Sequence, residues 1–249
     1  MTTTALVFGG SGGLGAGCVQ ALAREWPCVA FTYRKGREAA ETLAQSLPEG
    51  CRGYPLACDV ASSASVEATI AEVARVCGPI GAVVFAAGLA IDQPYISEIT
   101  EGQWREVFET ETLGFTRVLS NILPMFRSQG GGSIVAITSM ANTRVIVGDT
   151  ISAAPKAAIE ALCRGIAKEE GRYNVRANTV APGAMNAGLG EQYIAGRMTP
   201  EFWDSFRKSI PLRRFGTAAD IGEAVAFFAS DRSSYFTGQS LIADGGYTL

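Results

Sequence analysis

Seven short runs of β-branched and apolar residues punctuate the chain, at positions 5–8, 29–33, 52–56, 82–86, 133–138, 176–180 and 240–243. The segments between them carry apolar side chains at helical spacing, as in Leu14, Val19 and Leu22 or Val66, Ile70, Val73 and Val76. Near-continuous apolar strands alternating with amphipathic helices predict a parallel sheet buried on both faces, because each crossover lays a helix against it. The expected architecture is α/β: a doubly wound parallel sheet of seven strands.

Composition supports one core. Of 249 residues, 47% are hydrophobic and 18% charged, ample for a single domain over 1–249. No Pro/Ser-rich linker interrupts the pattern, and the breaker cluster at 129–132 reads as a helix-to-strand turn. The stretch 184–200 has weak periodicity and follows a strand's C-terminal end, where open α/β sheets bind ligands; it is expected to be a mobile, substrate-side loop.

A net charge of −3, with no basic block beyond Arg34-Lys35, leaves no footprint for nucleic acid or an anionic membrane. The chain enters an apolar strand right after Met1-Thr2-Thr3, with neither a basic leader nor a spanning apolar run, so a cytoplasmic protein is expected. Six cysteines lie scattered without a paired motif, and there is no histidine. Reduced, mostly buried thiols follow, and a Ser-His-Asp site or a histidine-ligated zinc is excluded.

After the first strand comes Phe8-Gly9-Gly10-Ser11-Gly12-Gly13-Leu14-Gly15, then a helix. Such a turn lets backbone N–H groups at a helix N-terminus approach a pyrophosphate, and the helix dipole favours the anion. The second strand ends Thr32-Tyr33-Arg34-Lys35. An acid there would hold a ribose 2′-hydroxyl, whereas a cation suits a 2′-phosphate, so any dinucleotide is expected to be NADP rather than NAD.

From here the chain resembles the short-chain dehydrogenase/reductase family, whose fold is of the Rossmann type, along nearly its whole length. The family's TGxxxGxG turn matches at Gly9, Gly13 and Gly15, with Phe8 in place of Thr. Asp59-Val60, Ala87-Gly88, Ser139, Lys156, Asn178, Pro182-Gly183, Gln239 and Asp244-Gly245-Gly246 follow in the family's order. The resemblance implies an NAD(P)-dependent oxidoreductase. Gly9, Gly13, Gly15, Arg34, Asp59, Val60, Gly88 and Lys156 would line the cofactor, and Ser139 and Lys156 would belong to the catalytic set.

At the catalytic centre the match breaks. The family places a Tyr four residues before the Lys to protonate the substrate oxygen, and that position is Ser152. A serine hydroxyl ends roughly 4 Å short of a tyrosine oxygen and is a far poorer acid. Losing a positioned general acid costs about 10²–10⁴ in rate, roughly 3–5 kcal/mol of barrier. Ser152 also suits a helix N-cap with Pro155 in the first turn. The family's Asn on the central helix falls at Glu111, whose carboxylate would pair with Lys156 and hold its proton. Its Asn-Asn-Ala-Gly is Phe85-Ala86-Ala87-Gly88, and its Thr after Pro-Gly is Ala187.

Four losses at the nicotinamide end, with the adenosine end retained, suggest a pseudoenzyme: a non-catalytic subunit paired with an active relative in a hetero-oligomer. The arrangement resembles paired hydroxyacyl-CoA dehydrogenases such as that of anaerobic benzylsuccinate degradation. On that reading dinucleotide binding is weakened or lost. Two alternatives stay open: an active NADPH-dependent ketone or ketoacyl reductase with a replacement acid drawn from Asp149, Glu111, Tyr95 or Tyr193, or an NADP-binding sensor without turnover. Self-association into a dimer or tetramer is the alternative to a mixed assembly.

Overall fold

The computed structural model describes residues 3–90, 92–188 and 199–249. Seven parallel strands form one sheet in the order β3-β2-β1-β4-β5-β6-β7. They are β1 (Thr4–Phe8), β2 (Cys28–Tyr33), β3 (Arg52–Ala57), β4 (Ile80–Phe85), β5 (Gly132–Ile137), β6 (Val175–Pro182) and β7 (Ser240–Ala243). Each run read from the sequence lies on one of them, displaced by at most two residues at an end. The order reverses between β1 and β4, opening the crevice where such sheets take ligands.

Alternation along the strands divides the core into two layers. Leu6 and Phe8 of β1 face α3 (Ser63–Cys77), α5 (Leu113–Gln129) and α6 (Thr150–Glu170), packing with Val66, Phe115 and Ile159. Ala5 and Val7 face the other way, toward α1 (Gly13–Leu22), α2 (Arg37–Gln45) and α8 (Ala218–Ala229), packing with Val19, Ala40 and Ile221. The central strands are buried on both faces, which is why their sequences read as apolar runs rather than alternating ones.

The first and last of those helices interlock through small residues. A Cβ on Gly17 would overlap the Ala218 backbone, and one on Gly222 would overlap the Gly17 carbonyl. Arg176 of β6 closes the far end of α8, donating to the carbonyls of Phe228 (2.9 Å) and Ser230 (3.0 Å) and to Ser233 Oγ (2.7 Å). These bonds occupy α8's orphan C-terminal carbonyls.

Two helices shape the crevice. The chain through α4 (Glu101–Val107) does not run straight into α5; a π turn at Phe108–Thr112 joins them. α6 starts earlier than the sequence suggests. Its N-cap is Asp149, so Ser152 sits inside the first turn rather than capping it, and Pro155 lies in the helix interior. The capping expectation for Ser152 is thus corrected: Pro155 does not mark the helix start but lies more than a full turn beyond it. Helix α7 (Pro200–Ser209) packs Trp203 and Phe206 on Phe215, and Phe206 on Tyr247.

Candidate active site

Lys156, on α6, is the centre of the site. Its Nζ donates to Glu111 Oε2 (2.7 Å), Ser152 Oγ (3.2 Å) and the Ser152 carbonyl (3.3 Å). An ammonium has three donors, and all three are engaged by this chain's own atoms. Ser139, at the end of β5, accepts from the Ala141 amide (3.1 Å) and caps the short turn Met140–Asn142.

Glu111 is only 2% exposed. The π turn that carries it inserts a residue into the helical phase, as such turns do at functional sites, and aims the carboxylate at the end of β4. Glu111 Oε1 lies 3.5 Å from the Leu89 amide and would sit 3.3 Å from a Cβ on Gly88. A buried carboxylate is tolerable only with a partner, and Lys156 is that partner. The sequence expectation that the two would pair is met.

Asp149 extends the network. Gln93 Nε2 donates to Asp149 Oδ1 (2.6 Å), and Lys156 and Ser152 both act on this carboxyl. Burial pushes the Asp149 carboxyl up to about 6; Lys156, Gln93 and Ser152 pull the other way, and Glu111 adds to the rise. Among the proposed replacement acids, Asp149 and Glu111 therefore reach the site. Tyr95 is 62% exposed and turned to solvent, and Tyr193 lies outside the described residues. Gln93 was not singled out from the sequence, because it lies in an irregular segment with no periodicity to give its direction.

The glycine turn is built as expected. Gly9 adopts φ +77° and packs so closely on β4 that a Cβ would stand 2.7 Å from Ala87 Cα. A Cβ on Gly15 would overlap the Gly9 carbonyl. The Gly9 amide donates to Thr32 Oγ1 (2.9 Å), and Ala86 N donates to the Phe8 carbonyl (2.9 Å). Phe8 itself is fully buried in the core, so the family's Thr position has become packing. Arg34 is exposed at the end of β2. Asp59 Oδ1 accepts from the Ala61 amide (3.0 Å). Val60 is buried, and a Cβ on Gly114 would lie 3.1 Å from its Cγ2, so its side chain serves the core rather than the crevice.

Of the stretch expected to be a mobile loop, residues 184–188 and 199–200 are described; the first part is anchored, and Thr199 and Pro200 begin helix α7. Met185 is buried and bridges Gly216; Asn186 N donates to the Gly216 carbonyl (2.8 Å) and Gly216 N to the Ala184 carbonyl (3.0 Å). Beyond the bridge, Gly188 (φ +58°) lies against the glycine turn, and a Cβ on Gly13 would overlap its backbone.

A dinucleotide across this crevice would need room on the Gly13-Leu14 turn and a free lysine donor beside its nicotinamide ribose. The first place is taken by Ala187-Gly188 and the second by Glu111 and Ser152. The residues as arranged do not fit the group, although the exposed Arg34 keeps the chemistry for a 2′-phosphate.

Fold and crevice define a doubly wound α/β protein of the Rossmann class, and comparison with known proteins narrows this. Residues 9–248 match the family model described as Enoyl-(Acyl carrier protein) reductase. Carbonyl reductase family member 4 of Danio rerio is 34% identical over 253 residues, covering 100% of this chain and 99% of the relative. A 3-oxoacyl-(acyl-carrier-protein) reductase of Staphylococcus aureus is 31% identical over 251 residues, covering 99% and 98%. Among solved structures, levodione reductase superposes with a TM-score of 0.92 at 26% identity, covering 100% of this chain and 98% of that one. NAD+-bound xylitol dehydrogenase gives 0.90 at 28%, covering 98% of each. The chain belongs to the short-chain dehydrogenase/reductase family, whose members are NAD(P)-dependent oxidoreductases.

Proposed function

We propose that this chain is a catalytically silent member of its family, a pseudoenzyme subunit that scaffolds an active relative in a hetero-oligomer. One observation carries the reading: Lys156 has all three donors bound by Glu111 and Ser152. In an active site of this family the lysine must serve cofactor and proton transfer. Here it neutralises a buried carboxylate, and the residue four positions earlier is a hydroxymethyl group. Binding of NAD(P) by this chain is accordingly weak or lost, with NADP preferred through Arg34 where any remains.

Assembly surfaces are retained. β7 is an edge strand with Ser240 and Leu241 exposed, and Tyr235, Phe236 and Leu249 are exposed near it. An unpaired edge beside apolar side chains favours association with another chain. The partner's chemistry would be reduction of a carbonyl or 3-oxoacyl group, the chemistry for which the relatives are named. Six free thiols suit the reducing cytoplasm. Purification from the native host, native mass spectrometry and an NADPH-oxidation assay with ketone and 3-oxoacyl thioester substrates form the test. Two different subunit masses and no turnover by the lone chain are expected; a homo-oligomer that reduces either substrate briskly overturns the reading.

A second reading rests on Asp149. Its carboxyl, pushed up to about 6 by burial and bonded by Gln93, is a proton donor suited to mildly acidic to neutral pH. This chain would then be a carbonyl reductase with a replacement acid. Turnover by the lone chain that disappears in both Asp149→Asn and Lys156→Ala would establish it.

A further inference from the structure

The backbone of Ala187 and Gly188 rests where the family's fold presents a helix N-terminus to a pyrophosphate. We infer that this segment is an internal occupant of the seat, held there by the Met185–Gly216 bridge, and that it is what excludes a dinucleotide from this chain. The inference deepens the silent-subunit reading and rests on it for its biological sense, but it concerns binding rather than turnover.

Three features support it. The anchor is firm: Met185 is buried in the core layer beneath α1 and α8, and the bridge to Gly216 brings two backbone hydrogen bonds of 2.8 and 3.0 Å. The Met185 thioether packs over Gly216, where a Cβ would stand 2.6 Å from its Sδ. The approach is backbone to backbone. A Cβ on Gly188 would lie 3.2 Å from Gly13 Cα, 3.4 Å from Gly13 N and 3.8 Å from Leu14 N, the amides that face an anion at this helix end. Finally, the contact needs glycine twice. Gly188 has φ +58°, a conformation that side-chain-bearing residues adopt at a cost, and Gly13 has no room for a Cβ under it.

Gly188→Ala tests this directly, since the added methyl both strains the left-handed backbone and crowds Gly13. Titration calorimetry with NADPH and with NADH should give at least tenfold tighter binding for the variant than for the unmodified chain. Amide exchange of the peptide covering 9–16 should quicken in the variant as its cover departs. Either of two results overturns the inference: the unmodified chain binds NADPH as tightly as the variant, or exposure of 9–16 rises with no gain in binding. Neither result bears on catalysis, so a failed inference remains separable from a failed silent-subunit reading, which the substrate assay alone decides.

Discussion

Lys156 Nζ stands 2.7 Å from Glu111 Oε2, and this contact joins α6 to the π turn between α4 and α5. The lysine side chain is 18% exposed and the glutamate 2%. The pair is therefore a structural element of the crevice wall, and removing one member leaves the other buried without a counter-charge.

Lys156→Ala should accordingly destabilise the chain by about 3 kcal/mol or more, the usual cost of orphaning a buried charge. Glu111→Gln in the same background should restore much of that loss. Urea denaturation of the two single variants and the double variant measures the coupling; additive effects would show the pair to be incidental.

Ser152→Tyr by itself should not produce a ketone reductase. A phenol at 152 would still meet a lysine engaged by Glu111 and a pyrophosphate seat covered by Gly188, so only Ser152→Tyr combined with Glu111→Asn and Gly188→Ala should give detectable NADPH-dependent turnover. Activity from the single variant would mean that Lys156 leaves Glu111 readily.

Asp149 has a folded-state carboxyl near 6, above its ordinary 3.8. The native state thus holds this proton more tightly than the unfolded chain, and the resulting stabilisation is present below pH 3.8 and lost as pH rises to about 6. Asp149→Asn should flatten that decline. Relative to the unmodified chain the variant should gain on the order of 2 kcal/mol between pH 4 and pH 7, read from urea midpoints across the range. A constant gap would assign the carboxyl an ordinary pKa.

Gly17→Ala should destabilise the chain by up to about 2 kcal/mol net, because the overpacking outweighs the helix-propensity benefit of replacing glycine with alanine, about 1 kcal/mol. The methyl would drive α1 off the Ala218 backbone, and overpacking of this kind costs roughly 1–3 kcal/mol. A lowered melting temperature in Gly17→Ala, against little change in the exposed Gly36→Asn, checks the interlock.

The seven strands and their parallel sheet were legible because strand runs such as 82–86 are buried on both faces and announce themselves as unbroken apolar text, whereas the strand order was not. The start of α6 was not legible. Pro155 suggested a first turn, yet a mid-helix proline is tolerated here, and the helix begins at Thr150 after Asp149. Likewise the Glu111–Lys156 pair followed from two aligned positions, whereas Gln93 on Asp149 did not, since nothing in an irregular segment fixes a side chain's direction.

Residue identity alone determined the parallel seven-stranded class, the glycine turn and the loss of a phenol at 152, because each is a matter of local pattern or of which atoms a side chain owns. Only the folded chain decided that Lys156 has no donor to spare, that burial lifts the Asp149 carboxyl to about 6, and that Gly188 lies on Gly13. Those properties depend on distances and burial between segments far apart in sequence, and no periodicity along the chain encodes them.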